Sequence, residues 1–505
     1  MNIGTKIISK FFSSTIIQFF IVFVSVFIAF YFYRDFNLPY FVGEDSFFHV
    51  AIAKYMIQHG LIIHQFPYLK FTILNEKFAD WHFLYHILLI PFIKFFGDVN
   101  GPKILGTTLL AATFSIIYLI FKNRGLKFAA LFTIILFFLM PGVFYYRMAL
   151  IRGAMLSLFL MVLCIYWIIK NRPIALAITM FFFVWSYYLA SYFIFVPIVA
   201  LLICQIWRKE KINYQLLLWA VIGFTAGFII NPYFPNNIHL IPVFFKAGFR
   251  NDVWYEGAEI FPMSTWDWFY GSMMTAILFL GSIFFSFIKN IRQDSKNLAI
   301  LFFALFLLIL QWRSARFVEY WPVFGGLSGA ILIGPYIEEI LLNIKNNWRK
   351  IESWLVVIFI ATFIYEGIFH GIWEFWGLKK KFTGQSEKAI LLKDISTYIK
   401  NNSEKGDLIF TRWDFFPYLF YFNDKNYYVD GNGIIWIEVY NQKMTEDYMD
   451  LTLLPEPKVN PKLIKDEFGA KWVIAESTLK EKLEQQPEVF EKVLEKGGLT
   501  VFKVK

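Results

Sequence analysis

Apolar residues in this chain come in blocks of roughly 15 to 20, long enough for a helix to cross a hydrocarbon core of about 30 Å. Short polar or basic loops separate the blocks. The pattern predicts helices near 15–33, 105–121, 127–143, 153–169, 173–188, 190–206, 214–230, 269–287, 298–312, 317–338 and 352–371, eleven crossings in all. Residues 83–96 are apolar too, but the run is short and reads as a surface or re-entrant helix. Beyond about residue 385 the texture becomes charged and mixed. Short β-like runs at 408–411, 427–429, 471–475 and 500–504 alternate with helical patterns at 389–400 and 478–494, the latter broken or restarted at Pro487. The chain therefore divides into a helical membrane domain over 1–384 and a soluble α/β domain over 385–505.

Charge orients these elements. Lys6 and Lys10 put the N-terminus in the cytoplasm, and the basic loops at 122–127, 170–172, 208–211, 289–296 and 345–350 fall on the same side. That alternation requires a short outer turn near residue 189 and requires that 83–96 does not cross. The outer loops 34–104 and 231–268 then share the extracytoplasmic face with the C-terminal domain. No small-residue cleavage site follows 15–33, which reads as a retained first helix. The expected location is the inner (cytoplasmic) membrane.

Hydrophobic residues make up 58% of the chain and charged residues only 17%, which excludes a large soluble helical protein. The net charge of +10 follows from inner-loop Lys and Arg facing anionic lipid, so nucleic acid is not an expected partner. Cys164 and Cys204 lie inside predicted spans and indicate no disulfide or redox motif.

Ionisable groups concentrate in one stretch, Gly43 to His86, which holds five of the seven histidines and four carboxylates. Such a concentration in an apolar protein marks a functional site. Asp45, with Glu44 beside it, starts an amphipathic stretch, where a carboxylate either caps a helix or does chemistry. His49 lies four residues on, on the same helical face. Asp80, His82 and His86 form a second cluster, in which His82 and His86 also share a face; it suits a metal ion or simple aromatic stacking. Arg147 and Arg152 flank the outer end of two helices, and Arg313 and Arg316 lie between two more, followed by Glu319 and Tyr320. These arginines either snorkel to lipid phosphate or hold a substrate phosphate bidentately. A long outer loop reaches Glu256, Glu259 and Trp266, and the soluble part carries an aromatic cluster at Trp413 and Asp414.

Together these segments resemble the catalytic subunit of oligosaccharyltransferases, within the GT-C superfamily of polyprenyl-phosphate-dependent membrane glycosyltransferases. The run Asp45-Ser46-Phe47-Phe48-His49-Val50-Ala51-Ile52-Ala53-Lys54-Tyr55 is similar to the family's first-loop motif, whose aspartate is catalytic and helps bind a divalent cation. Arg412-Trp413-Asp414-Phe415-Phe416 stands where the family has its acceptor-recognising W-W-D-Y-G motif. Glu259, Pro262 and Trp266 resemble its flexible-loop segment, and Arg316 its lipid-phosphate arginine. The resemblance implies a multi-pass α-helical GT-C membrane protein with about 11 transmembrane helices and a C-terminal extracytoplasmic α/β domain.

By the same resemblance the donor is a polyprenyl-(di)phosphate-linked sugar. Asp45, Asp80 and Glu44 would be catalytic. His49, His82, His86, Arg147, Arg152, Glu259, Arg313, Arg316, Glu319, Tyr320, Trp413 and Asp414 would bind substrate. An Mg or Mn ion would sit on Asp45, Asp80 and His82. One departure opposes that ion: the family's second-loop acidic pair is replaced by Tyr145-Tyr146-Arg147-Met148-Ala149-Leu150-Ile151-Arg152, which brings positive charge instead. The motif's first Trp is Arg412, which puts asparagine-sequon recognition in doubt and leaves the acceptor, protein or envelope glycan, unassigned. The expected reaction is transfer of a sugar with inversion. The competing reading is a transporter or flippase of a lipid-linked sugar, and a third is a scaffold that binds envelope glycans.

Overall fold

A computed structural model describes residues 14–34, 37–249, 261–288, 293–343, 351–431, 433, 435–454 and 457–505. The helices of the membrane part are α1 (Thr15–Tyr33), α2 (Glu44–His59), α3 (Phe83–Asn123), α4 (Ala129–Phe138), α5 (Gly142–Ala149) and α6 (Ala154–Lys170). They continue as α7 (Pro173–Ser191), α8 (Phe195–Trp207), α9 (Tyr214–Ile229), α10 (Met273–Ile288), α11 (Ser295–Arg313), α12 (Trp321–Leu342) and α13 (Ile351–Asn402). Among the described residues five helices are long and apolar enough to cross a membrane: α1, α3, α7 with α8 counted as one, α11 and α12. The bent pair α4–α5 makes a sixth if it is one span, and α6, α9 and α10 are shorter apolar helices. The chain is a multi-pass membrane protein.

The five spanning helices are mainly apolar, and burial separates the side packed in the protein from the exposed side. In α1, Val22, Val26 and Phe30 recur every four residues and are buried against α3 and α4, whereas Phe20 and Phe32 stay exposed.

Several breaks shape the bundle. The 41 residues of α3 would run about 60 Å if straight, twice the hydrocarbon thickness. Non-helical backbone at Gly97 (φ 82°) divides it between the run expected as a separate short helix and the span that follows. The turn expected near residue 189 coincides with non-helical backbone at Tyr187 and a 3-10 turn over Tyr192–Ile194. The helix predicted over 127–143 stops at Phe138, because the chain turns through 87° at Leu139–Pro141 before α5. Pro141 has no N–H to continue α4 and stands as the N-cap of α5.

The C-terminal part holds one five-stranded sheet of β1 (Leu408–Phe410), β2 (Tyr427–Tyr428), β3 (Trp472–Ala475), β4 (Phe490–Lys496) and β5 (Leu499–Val504), in the order β2-β1-β3-β5-β4. The pairs β2–β1–β3 are parallel and β3–β5–β4 antiparallel. The predicted helix over 478–494 is corrected: helix α15 ends at Glu484 (Ser477–Glu484), a turn follows over 485–489, and the edge strand β4 begins at Phe490. Its Glu and Lys residues favour helix locally, but antiparallel pairing with β5 overrides that preference. The same charges line a sheet edge, where they oppose edge-to-edge association.

Two ties lock this part to the segment between α1 and α3. The Tyr428 N–H donates to the Tyr68 carbonyl at 2.7 Å and Lys70 N–H donates to Tyr428 at 3.0 Å, so the loop extends the sheet beyond β2. Helix α14 (Phe416–Phe422) lies on α2, with Phe47 and Tyr418 ring centroids 4.4 Å apart. Helix α13 runs without interruption through residue 384, so the compositional change there falls inside a helix rather than at a linker.

Candidate active site

The start of α2 is positioned by its neighbours. Gly43 adopts φ 74°, and a Cβ there would meet Leu150 Cδ2 at 2.6 Å, so this entry to the helix needs glycine. Its N–H donates to Gln385 Oε1 of α13 at 3.0 Å. Gly43 is the helix cap, and Asp45 sits in the first turn rather than capping α2. The next residue, Ser46, donates to the Val42 carbonyl at 2.5 Å and accepts the Ile151 N–H at 2.8 Å. That hydroxyl sets the 150–152 segment opposite Asp45.

Arg152 Nη1 therefore stands 3.3 Å from Asp45 Oδ2, and its Nη2 bonds Glu319. Arg147, carried in by the sharp α4–α5 bend, donates from Nε to the same Glu319 Oε1 at 2.6 Å. Arg316 lies close enough to act electrostatically on both arginines and on His82. Two carboxylates thus face a cluster of at least three guanidinium groups, an arrangement suited to an anionic ligand. The Asp45 side chain is 36% exposed and that of Glu319 only 3%, so a substrate can reach Asp45 while Glu319 braces the arginines. Tyr320 is buried behind them, its hydroxyl 3.1 Å from Ser157 Oγ. Arg313 is half-buried in the last turn of α11, where a cation complements the helix dipole.

The second cluster forms at the start of α3. Asp80 Oδ1 accepts the His82 N–H at 2.9 Å, and Asp80 Oδ2 lies 2.6 Å from His86 Nδ1. His86 Nε2 lies 2.7 Å from His49 Nδ1, and His82 Nδ1 donates to the Ser186 carbonyl at 3.0 Å. Burial, then the neighbouring His86, pushes His82 down to about 4 and holds His49 well below the usual histidine range. Both rings are neutral bases at physiological pH. Gly153 makes room for His82: a Cβ there would lie 2.3 Å from His82 Nδ1. We expect Gly153→Ala to cost about 1–3 kcal/mol, read as a lower melting temperature in detergent. An unchanged melting temperature would show that the ring swings aside freely.

The C-terminal motif closes on the same place. Asp414 is held by Arg412 (Nε–Oδ1 3.0 Å) and by Lys388 of α13 (3.2 Å). Lys388 also lies over the Phe415 ring at 4.8 Å. Trp413 packs partly buried against the core of the C-terminal part. Burial and the adjacent Asp45 raise the Glu44 carboxyl, with Asp414 adding and Lys388 opposing. Glu44 therefore meets Asp414 and Lys388 electrostatically, which unites the two ends of the chain. Lys388 and Gln385 are participants that no sequence motif marks. Glu259 lies outside the described residues.

The expected metal ligands do not converge. Asp45 faces a guanidinium, both Asp80 oxygens are engaged by His82 and His86, and His82 Nδ1 is committed to a carbonyl. Among the described residues no group of three or more His, Cys, Asp or Glu side chains is arranged to hold a metal ion. The donor set does not fit a divalent cation on Asp45, Asp80 and His82.

With its helical membrane body and small terminal sheet, the chain has a fold similar to that of solved GT-C membrane glycosyltransferases. The oligosaccharyltransferase AglB of Archaeoglobus fulgidus, in complex with an inhibitory peptide and a dolichol-phosphate, is 12% identical at a TM-score of 0.64, covering 93% of this chain and 70% of that one. Its apo form is 13% identical at the same TM-score, covering 91% and 69%. ArnT of Cupriavidus metallidurans, bound to undecaprenyl phosphate, is 13% identical at 0.55, covering 96% and 97%. No protein-family model and no curated protein matches the chain.

Proposed function

We propose that the protein transfers a sugar or glycan from a polyprenyl-(di)phosphate carrier to an acceptor on the outer face of the membrane, with inversion. The observation that carries this reading is the partly exposed Asp45 carboxylate set 3.3 Å from Arg152, within an arginine cluster braced by Glu319. Fold neighbours solved with dolichol-phosphate and with undecaprenyl phosphate support a lipid phosphate as the anion. Eleven crossings, with the C-terminal part outside, are the topology that goes with it.

In this mechanism the polyprenyl chain lies among the membrane helices and its phosphate meets Arg152, Arg147 and Arg316. Asp45 orients the acceptor nucleophile, or takes its proton, as it attacks the anomeric carbon. The carbon–oxygen bond to phosphate breaks on the opposite side. The arginines stabilise the charge that develops on the leaving phosphate, so no strong acid is needed. Asp80 and Glu44 assist from either flank. The acceptor is a protein or an envelope glycan; Asp414, engaged by Arg412 and Lys388, is poorly placed to read an asparagine sequon.

The test incubates purified protein with a panel of polyprenyl-phosphate- and diphosphate-linked sugars and measures release of the lipid phosphate. Release supports transfer. Intact donors that cross vesicle bilayers without cleavage would instead establish a flippase. Because guanidinium groups occupy the place of the cation, EDTA should leave turnover within about twofold of the untreated enzyme. A large loss restored by Mn or Mg would overturn that part of the reading.

A further inference from the structure

We infer that Asp80, His86 and His49 form a proton relay that carries the acceptor's proton away during glycosyl transfer. This rests on the transfer reading above. The three side chains are buried and in series: Asp80 Oδ2 to His86 Nδ1 at 2.6 Å, then His86 Nε2 to His49 Nδ1 at 2.7 Å.

The polarity of the series follows from its end. A carboxylate only accepts, so His86 Nδ1 carries a proton. With His86 neutral, its Nε2 is a lone pair and His49 Nδ1 donates to it. His49 Nε2 is then an unprotonated base. His49 follows Asp45 by one helical turn on the same face of α2 and lies within electrostatic reach of Arg152, the partner of Asp45. The relay therefore begins beside the groups that hold the substrate. His82 differs, because its Nδ1 bonds the Ser186 carbonyl and it joins the series only by orienting Asp80 through its N–H.

As the acceptor oxygen or nitrogen bonds the anomeric carbon, the carbon–phosphate oxygen bond breaks and its electron pair leaves with the phosphate. The acceptor's proton passes to His49 Nε2 and the His49 Nδ1 proton passes to His86 Nε2. His49 ends neutral, and His86 becomes an imidazolium beside the Asp80 carboxylate. The division of labour with Asp45 is then clear: Asp45 orients the nucleophile and the relay removes the proton. A network that merely fastened α2 to the start of α3 would hold the fold and leave the chemical step alone.

His86→Gln keeps a polar side chain but cannot pass a proton. We expect it to lower turnover about 100-fold, with donor KM and affinity for undecaprenyl phosphate little changed, and Asp80→Asn to act in the same direction. In H2O/D2O mixtures, wild-type turnover should fall along a bowed curve, the mark of two protons in flight, and this measurement needs no variant. A linear dependence, or His86→Gln turnover within about threefold of wild type, would overturn the relay and leave lipid-linked transfer standing. If the wild-type chain released lipid phosphate from no donor in the panel, the transfer reading would fail and the relay with it.

Discussion

Glu319→Ala should destabilise the folded chain by about 3–5 kcal/mol, measured as a fall in melting temperature in detergent or in denaturant midpoint. Arg147 and Arg152 both bond this carboxylate, and the three side chains are only 9%, 6% and 3% exposed. Removing it strips the anion that two buried guanidiniums share and leaves the more exposed Asp45 facing one of them. The cost is that of holding buried charge without its counter-charge, which exceeds the value of the pair itself. A second variant separates charge from shape. Glu319→Ala with Arg147→Met removes one charge of each sign, keeps the Arg152–Asp45 pair, and should be less destabilised than Glu319→Ala alone. A double variant as unstable as the sum of its parts would show that the two residues do not act as a unit.

That network also shows how far the sequence reading reached. Apolar length alone located α1, α6, α9 and α11, since a helix surrounded by lipid needs only composition and extent. The α4–α5 bend escaped it, because Leu139, Met140 and Pro141 leave the hydropathy unbroken while the backbone turns through 87°. Strands β1, β2, β3 and β5 of the C-terminal sheet were legible from short β-like runs. β4 was not, because its Glu and Lys residues favour a helix and only pairing with β5 makes them a strand.

At the site, Asp45, Arg152, Glu319, His49, Asp80 and His86 each stood out by type, yet their pairing did not. Arg152 lies 107 positions from Asp45 and 167 from Glu319, and His86 lies 37 from His49. No local period connects residues so far apart. The same limit left Asp80, His82 and His86 readable either as metal ligands or as stacked rings, and only the fold shows Asp80 bonded to His86 and to the His82 backbone N–H. Lys388 and Gln385 carry no signal at all, since Lys and Gln on an amphipathic helix read as a solvated face. Only the packing of α13 against α5 and α14 brings them to Gly43 and Asp414.

Asp45→Asn is the variant on which the functional reading depends most, and we expect it to lower transfer by about 10²–10⁴-fold. Asn has the same shape and also suits the first turn of a helix, so α2 should lose only a few tenths of a kcal/mol from the missing dipole interaction. Its amide keeps an oxygen toward Arg152 but has neither the charge to hold that guanidinium firmly nor the basicity to steer a nucleophile's proton. Binding should move the other way. With the carboxylate gone, Arg152 is freer to engage a lipid phosphate, so Asp45→Asn should bind undecaprenyl phosphate at least as tightly as wild type. The two readouts together decide the role of Asp45. Lost transfer with retained or tighter binding places it at the reacting centre, whereas loss of both would make it a structural anchor for Arg152. Full transfer by Asp45→Asn would remove it from the chemistry altogether and pass the nucleophile's activation to His49 and the residues behind it.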